Sequence, residues 1–232
     1  IMNNIKYKEV EFANTTVRVE DHRIYSMLHH GLDKSCAMNV GEFVDVIDDL
    51  IDGNYYKNKQ RIRTGVLRTS LYEAFKDQNF CMASVDVDDM TKIDERFGHF
   101  CGTIVCYVVA SVITLNIESH DGILCLGGEE NLFVLPLSLK DSLLIVNKIL
   151  RDIDGLEFVC KNRRFKVSIT IGLVHYQGKR VNAFAGMVDD ANKVLYIGKK
   201  IIKGRPYVSV GNGSFLVKSQ VNIGEVDPAI FI

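Results

Sequence analysis

The sequence predicts an α+β fold in which a mostly antiparallel sheet is flanked by helices. From Thr64 onward, amphipathic helical patterns and short apolar runs follow one another as helix, strand, helix, two strands, helix, two strands, helix and strand. Two apolar runs flank the glycine-rich segment 127–131, which is typical of a tight hairpin. The 232 residues, 47% of them hydrophobic, suffice for one globular domain with a sizeable core and an appendage.

Composition excludes several classes of function. The formal net charge is −1, so no polyanion-binding surface is expected and duplex nucleic acid is not a predicted partner. The near-apolar run Thr103–Ile117 is shorter than the about 20 residues of a membrane span, so we expect a buried helix and no membrane span. The 6 cysteines lack CxxC spacing, and four lie in apolar runs. They predict reduced core thiols in a cytoplasmic protein, without a zinc site.

Residues 1–58 are predicted to form a separate, mainly helical unit that serves regulation or dimerisation. Val10–Val19 partly alternates apolar and polar residues, which indicates one or two short strands or an extended arm. Apolar residues then recur at helical spacing over Asp21–His30 and again over Val40–Ile51.

Residues 59–210 are predicted to form the main domain, followed by a tail at 211–232 without a clear helical pattern. Phe80–Val87 is a continuous apolar run that ends in acids, as expected of a central buried strand. The other predicted elements are helices at Val66–Lys76, Ile93–Phe97, Gly102–Asn116, Lys140–Asp152 and Phe184–Ile201, hairpin strands at Gly122–Leu126 and Leu132–Leu137, and strands at Leu156–Cys160, Phe165–Val174 and Tyr207–Val210.

The hairpin tip carries two adjacent carboxylates, Glu129 and Glu130. One interpretation is an ordinary solvated tip, because water screens like charges. The other starts from the acids at the end of the central strand, of which Asp86 is the first. If strand and hairpin are neighbours, three carboxylates converge and must be paired or bind a metal.

Clustered carboxylate oxygens favour Mg²⁺ or Mn²⁺. Two such ions, about 3.5–4 Å apart, activate a hydroxyl and stabilise a pyrophosphate leaving group. The acids of this chain therefore point to nucleotidyl transfer from a nucleoside triphosphate.

Five segments, in order, resemble the motifs of one family. They are Thr64–Arg68, Asp86–His99 with Gly102, Gly127–Asn131 with Pro136, Val167–Gly172 and Ala191–Lys199. Over about residues 60–208 the chain resembles a GGDEF domain of the diguanylate cyclase family, with the divergent signature GGEEN. The resemblance implies a palm-like fold of the nucleotidyl cyclase type. It also implies a homodimer in which two nucleoside triphosphates are joined into a cyclic dinucleotide.

The resemblance also assigns roles. Asp86 and Glu129, with the Val87 carbonyl, would bind two Mg²⁺ or Mn²⁺ ions per active site, and Glu130 would be a further ligand or activate the 3′-hydroxyl. These three acids are the predicted catalytic residues. The remaining predicted nucleotide contacts are the backbone of Asp89, Met90 and Thr91 at the β- and γ-phosphates, Gly127 and Gly128 beside the α-phosphate, and the cations Lys199 and Arg205. Because the spacing to Arg205 is two residues longer than in the family, Lys200 or Lys203 can take its place.

Two departures concern the base. Asp94 and Thr103 stand where the family has the Asn and Asp that read guanine. Threonine cannot replace a charged acceptor, and losing such a partner costs about 1.5–3 kcal/mol, or roughly ten- to hundredfold in selectivity. In addition, Glu118–Asp121 lacks the arginine of the family's product-inhibition motif, so feedback binding there is expected to be lost.

Three hypotheses follow. The first is an active cyclase with altered base selectivity that uses GTP, ATP or both. The second is a catalytically inactive GGDEF domain that binds a nucleotide or protein as a regulator. The third is a minimal palm polymerase or cyclase of an antiviral signalling system. The intact acids Asp86, Glu129 and Glu130 favour the first, because decay of catalysis should remove them early.

Overall fold

A computed structural model of the chain describes residues 7–12, 14–32, 79–117, 123–127, 130–176, 184–201, 203–204 and 206–210. Its strands are β1 (Lys8–Phe12), β2 (Thr15–Val19), β3 (Phe80–Val87), β4 (Ile123–Gly127), β5 (Glu130–Leu135), β6 (Leu156–Cys160), β7 (Arg163–Phe165), β8 (Ile169–Tyr176) and β9 (Pro206–Val210). Its helices are α1 (His22–Leu32), α2 (Met90–Phe97), α3 (His99–Ile117), α4 (Leu139–Asp154) and α5 (Phe184–Ile201).

The described strands form two sheets. One has the order β1-β2-β6-β7 and the other the order β4-β5-β3-β8-β9. Every pairing is antiparallel except that of β8 with β9. The predicted α+β class with a mostly antiparallel, helix-flanked sheet is therefore confirmed.

Strand β3 lies at the centre of the five-stranded sheet, between β5 and β8. Side chains alternate across a strand, so successive residues face opposite layers. Cys81, Ala83 and Val85 belong to the larger core, whereas Phe80 and Met82 pack in a smaller cluster with residues of α5. The same alternation puts Asp86 on the α5 side of the sheet.

Helix α5 packs unusually close to β8 at Gly172. A Cβ atom on this residue would lie 2.4 Å from both the Ala191 carbonyl oxygen and the Leu195 amide nitrogen of α5. Only glycine permits this approach, because neither contact involves a side chain that can move away. The contact sets the distance between α5 and the sheet, and with it the reach of Lys199 near the end of the helix.

The expected small, mainly helical N-terminal unit is not confirmed. Its described part contains β1, β2 and α1, and β2 pairs antiparallel with β6. The reason is the alternating pattern of β2. Val17 and Val19 are buried, and in this register they lie beside the equally buried Phe158 and Leu156 of β6, forming one apolar sheet face.

The predicted helices at Val40–Ile51 and Val66–Lys76, the boundary at residue 58 and the tail at 211–232 lie outside the described residues.

The outward face of the four-stranded sheet carries a ladder of charges centred on Arg18. Its guanidinium lies 3.1 Å from Glu9 of β1 and 2.5 Å from Glu157 of β6. Arg164 of β7 lies 3.8 Å from the same glutamate. The ladder therefore crosses all four strands and ties the N-terminal hairpin to the rest of the sheet.

Helix α3 is the predicted buried helix. By length and composition it could cross a membrane, yet 67% of its most apolar window is buried inside the protein. The described cysteines carry free thiols, and burial raises the pKa values of Cys81 and Cys101 to about 12. Both thiols therefore behave as small apolar groups of the core.

Candidate active site

The strand register brings the two acidic motifs together at one end of the central sheet. β3 pairs with β5 so that Val85 lies opposite Asn131. Continuing this register by one residue places the backbone of Glu130 beside that of Asp86. Gly127, the last residue of β4, pairs with Glu130 across the hairpin. Gly128, Glu129 and the side chain of Glu130 lie outside the described residues.

Asp86 forms an ion pair with Lys199. The Lys199 ammonium nitrogen lies 2.7 Å from Asp86 Oδ1, and the two side chains are 24% and 30% exposed. Lys199 belongs to the last turn of α5, on the side of the sheet that Asp86 faces. The structure therefore brings together two predicted site residues that are 113 positions apart in the sequence (199 − 86).

Val87 ends β3 with its side chain buried, and the next residue, Asp88, anchors the acidic turn. Asp88 is buried and accepts hydrogen bonds from the hydroxyls of Ser168 and Thr170, each at 2.7 Å. Its backbone N–H donates to the Ser168 carbonyl at 2.8 Å. The carboxylate is thus fully engaged in holding the end of β3 against β8 and is not available to a ligand.

Asp89 is exposed and has a left-handed backbone conformation, with φ at 58°. Its Oδ1 atom lies 2.8 Å from the ammonium of Lys203 and 3.0 Å from that of Lys92. These lysines lower the pKa of Asp89 from its ordinary 3.8, with Lys203 the larger cause. Reciprocally, the hydrogen bond to Asp89 raises the pKa of Lys203.

Helix α2 begins at Met90, directly after Asp89. The Asp89 carbonyl accepts from the amides of Lys92 and Ile93, at 2.9 and 3.2 Å. The amides of Met90 and Thr91 are in the first turn, where a helix offers its N–H groups no partner of its own. The contact of Asp89, Met90 and Thr91 with phosphate stays a prediction, to which this helix start contributes backbone donors.

Lys203, one of the two alternatives to Arg205, reaches this turn from the segment after α5. Arg205 lies outside the described residues. The Lys203–Gly204 turn is held in place because the Gly204 amide donates to the Thr170 hydroxyl at 3.1 Å. Since Thr170 also donates to Asp88, one buried network fixes both the acidic turn and the turn that carries Lys203.

Asp94 and Thr103, the predicted base-reading residues, lie on α2 and α3. Asp94 Oδ2 lies 2.9 Å from Nδ1 of His99, and its Oδ1 is buried against Gly102 without a hydrogen-bond partner. A Cβ atom on Gly102 would lie 2.0 Å from that oxygen, so a larger residue there would push the Asp94 carboxylate aside. The Thr103 hydroxyl donates to the His99 carbonyl of its own helix at 3.0 Å.

Sequence reasoning missed Asp88, Ser168 and Thr170, and it left Lys203 as one of two alternatives. The sequence contained part of the information needed to find them. Ser168 and Thr170 are polar residues two positions apart at the start of an apolar strand, so they face the same side. Lys203 follows Lys199 by four positions but lies in the segment after α5, so its spacing alone does not place its side chain.

In the part of the chain that the structure describes, no three His, Cys, Asp or Glu side chains converge as a metal site. That part excludes the side chains of Glu129 and Glu130. The described donors at the predicted site are the Asp86 carboxylate and the backbone of Val87.

Comparison with known proteins agrees with this geometry. The family model described as diguanylate cyclase, GGDEF domain, matches residues 56–205. Probable diguanylate cyclase DgcF of Escherichia coli K12 is 27% identical over 135 residues, covering 55% of this chain and 42% of that protein. Diguanylate cyclase TpbB of Pseudomonas aeruginosa is 26% identical over 165 residues, covering 68% of this chain and 38% of that protein. The chain thus spans less than half the length of these relatives.

A solved structure has the same architecture. The crystal structure of the GGDEF domain of TpbB from Pseudomonas aeruginosa aligns with a TM-score of 0.55 at 26% identity, covering 62% of this chain and 91% of that domain. The palm-like, nucleotidyl cyclase type of fold predicted from the motifs is thereby confirmed. Because the family match extends over residues 56–205, more than half of the 232 positions, this chain belongs to the diguanylate cyclase family of GGDEF domains.

Proposed function

We propose that this protein is a cyclic-dinucleotide synthase that condenses two nucleoside triphosphates, with a base selectivity different from that of guanine-specific relatives. The observation that carries the proposal is the strand register that sets the GGEEN hairpin beside Asp86. It places the hairpin strand β5 next to the strand that carries Asp86, and we propose that Glu129 and Glu130 join Asp86 there, because nucleotidyl transfer requires clustered acids.

The described residues fit a divalent cation at Asp86. The half-buried carboxylate already holds a positive charge, the Lys199 ammonium, which stands where a metal would bind. Carboxylate and carbonyl oxygens are the donors that Mg²⁺ and Mn²⁺ prefer, and Asp86 with the Val87 carbonyl supplies both kinds. We assign Glu129 and Glu130 to complete a site for two ions.

The start of α2 would hold the β- and γ-phosphates. Its unpaired N–H groups and the partial positive charge of a helix N-terminus favour an anion there. Lys199 from the end of α5 contacts Asp86, Lys203 from the segment after α5 contacts Asp89, and both supply full positive charges. Lys203 therefore replaces Arg205 in our assignment of the phosphate-binding cations.

In the reaction, the 3′-hydroxyl of each nucleotide would attack the α-phosphate of the other, and pyrophosphate would leave. When bound, the metal ions supply Lewis-acid stabilisation of the attacking and leaving oxygens. Glu130 would take the proton of the attacking hydroxyl or complete the metal site, while Lys199 and Lys203 hold the pyrophosphate. Gly127 and Gly128 would let the hairpin backbone approach the α-phosphate.

The base site would differ from that of a guanine-specific enzyme. Thr103 presents a neutral hydroxyl that is already bonded within α3, so no charged acceptor faces the base at that position. The Asp94 carboxylate, which faces His99, offers hydrogen-bond acceptors to a base but lacks the amide donor of the family's asparagine. These features support use of ATP, GTP or both.

A complete reaction requires two half-sites that face each other. We therefore propose a homodimer, to which residues 1–58 contribute, acting in the cytoplasm on free nucleotides. A second candidate function is that of an inactive domain that binds a nucleotide or protein as a regulator. It is favoured by the loss of the charged base reader at Thr103.

Product analysis separates the two candidates. Purified protein with Mg²⁺ or Mn²⁺ and nucleoside triphosphates should yield a cyclic dinucleotide and pyrophosphate, detected by mass spectrometry. Asp86→Asn and Glu130→Gln should abolish the product. Nucleotide binding without turnover in every combination would leave the regulatory function.

A further inference from the structure

Lys199 forms an ion pair with the Asp86 carboxylate, which the proposed reaction needs as a metal ligand. Its ammonium lies 2.7 Å from Asp86 Oδ1, and neither side chain is more than 30% exposed. An ion pair of this kind is screened less by water than a surface pair, so it competes with any other cation for the same oxygen.

The described side chains around the pair are neutral in total charge. Lys203 and Lys92 contact Asp89, and the hydroxyls of Ser168 and Thr170 donate to Asp88. The described charges of this cluster are three aspartates and three lysines, namely Asp86, Asp88, Asp89, Lys92, Lys199 and Lys203. The formal charges of these six side chains cancel, and the proposed metal ligands Glu129 and Glu130 would add two negative charges, so Lys199 is the positive charge that a metal must displace from Asp86.

A divalent ion that binds Asp86 alone must displace Lys199 and leave its ammonium next to a second positive charge. A triphosphate that binds alone must draw Lys199 away and leave Asp86 facing an anion. When both bind together, Lys199 can pair with the phosphates while the metal pairs with the carboxylate, and every charge keeps a partner. The flexible four-carbon stem of lysine permits this change of partner.

We infer that Lys199 is a resident counter-ion of Asp86 that makes the binding of divalent metal and of triphosphate mutually dependent. The inference rests on the proposed function, because it assumes a metal at Asp86 and phosphates beside α5. It adds a role for Lys199 in the free protein, where the ion pair suppresses binding of metal alone. By linkage, triphosphate must raise the affinity for metal by the same factor as metal raises the affinity for triphosphate.

Binding of Mn²⁺ without nucleotide tests the inference, with free Mn²⁺ followed by electron paramagnetic resonance. Lys199→Gln should bind Mn²⁺ more tightly than the unmodified chain, by up to about fivefold, since such ion pairs contribute up to about 1 kcal/mol. The double variant Asp86→Asn with Lys199→Gln should lose this gain. Inorganic tripolyphosphate, which has no base, should raise Mn²⁺ affinity in the unmodified chain and raise it less in Lys199→Gln.

Two single variants are matched controls for the loss of one positive charge. Lys203→Gln removes a lysine of the same cluster that contacts Asp89 instead of Asp86, and it should give a smaller gain. Lys193→Gln removes an exposed lysine of α5 that faces Asp190, and it should give none. Equal gains in Lys199→Gln and Lys203→Gln would show a general charge effect and overturn the inference.

An unchanged or weaker Mn²⁺ affinity in folded Lys199→Gln would also overturn the inference. Failure of the proposed function would be seen in the product analysis and not in the Mn²⁺ affinities. If no cyclic product forms but Lys199→Gln still gains Mn²⁺ affinity through Asp86, the counter-ion role stands and only the reaction assignment falls.

Discussion

Lys199 Nζ and Asp86 Oδ1, 2.7 Å apart, connect the last turn of α5 to the end of the central strand. The contact depends on two features of the fold. The alternation of β3 turns Asp86 toward α5, and Gly172 lets α5 lie close against the neighbouring strand. The position of this ion pair therefore depends on how α5 packs, as well as on the acidic motif.

Gly172→Ala should lower both stability and any catalytic activity. The new Cβ would lie 2.4 Å from backbone atoms of α5, so the helix must move outward, and overpacking of this kind costs about 1–3 kcal/mol. Urea unfolding measures the loss of free energy, and product formation measures the effect on the site. Gly186→Ala is the matched control on α5, where a Cβ meets nothing within 4 Å. It should leave stability unchanged or raise it by up to about 1 kcal/mol.

Lys203→Met should raise the pKa of Asp89 more than Lys92→Met does, because Lys203 is the larger cause of the lowered value. The folded-state pKa of Asp89 lies below its ordinary value. The pairing therefore stabilises the fold at pH values above the ordinary 3.8 and is lost as the pH falls through the folded-state pKa. Carboxyl ¹³C chemical shifts in an NMR titration measure the change. Equal shifts in the two variants would contradict the assignment of Lys203 to this turn.

Thr103→Asp should raise the use of GTP relative to ATP by about tenfold or more, since it restores a charged acceptor at the base site. The ratio of initial rates with the two nucleotides is the measurement. Thr103→Val is the control of similar shape. It removes the hydroxyl that bonds to the His99 carbonyl and adds no acceptor, so the ratio should stay constant. An unchanged ratio in Thr103→Asp would show that this position does not face the base.

Phe12→Ala should destabilise the whole described fold. Phe12 of β1 is 1% exposed and packs edge-on against Tyr107 of α3, with ring centroids 6.0 Å apart. Truncating a buried phenylalanine costs about 3–5 kcal/mol. A single, lowered urea transition should report the loss, and the exposed neighbour substitution Glu11→Ala should have little effect. If the N-terminal segment were an independent unit, the main transition would keep its midpoint in Phe12→Ala.

The parts of the fold that rest on local pattern could be predicted from sequence. β3, β6 and α5 have the predicted bounds, because continuous apolar runs and helical periodicity are local signals. The convergence of Asp86 with the hairpin was predicted as well, and the register that pairs Val85 with Asn131 agrees with it.

The remainder depends on contacts between distant segments. Nothing in Thr15–Val19 itself indicates pairing with β6, which lies more than 130 residues later. Similarly, the buried bonds of Asp88 to Ser168 and Thr170 span 80 and 82 positions. An aspartate in an acidic motif gives no local sign that its carboxylate holds two strands together instead of a ligand.

Lys203 shows an intermediate case. The sequence left Lys200 and Lys203 as alternatives to Arg205, because the position of the turn after α5 is not a local signal. The Gly204 bond to Thr170 fixes that turn and directs Lys203 to Asp89.

The most direct test of cyclic-dinucleotide synthesis is product identification by mass spectrometry. The protein is incubated with Mg²⁺ or Mn²⁺ and with each of the four nucleoside triphosphates, singly and in pairs, beside Asp86→Asn and Glu130→Gln. We predict a cyclic dinucleotide containing adenine, guanine or both, absent from both variants. No cyclic product in any combination, from protein shown to be folded and to bind nucleotide, would contradict synthesis by this domain.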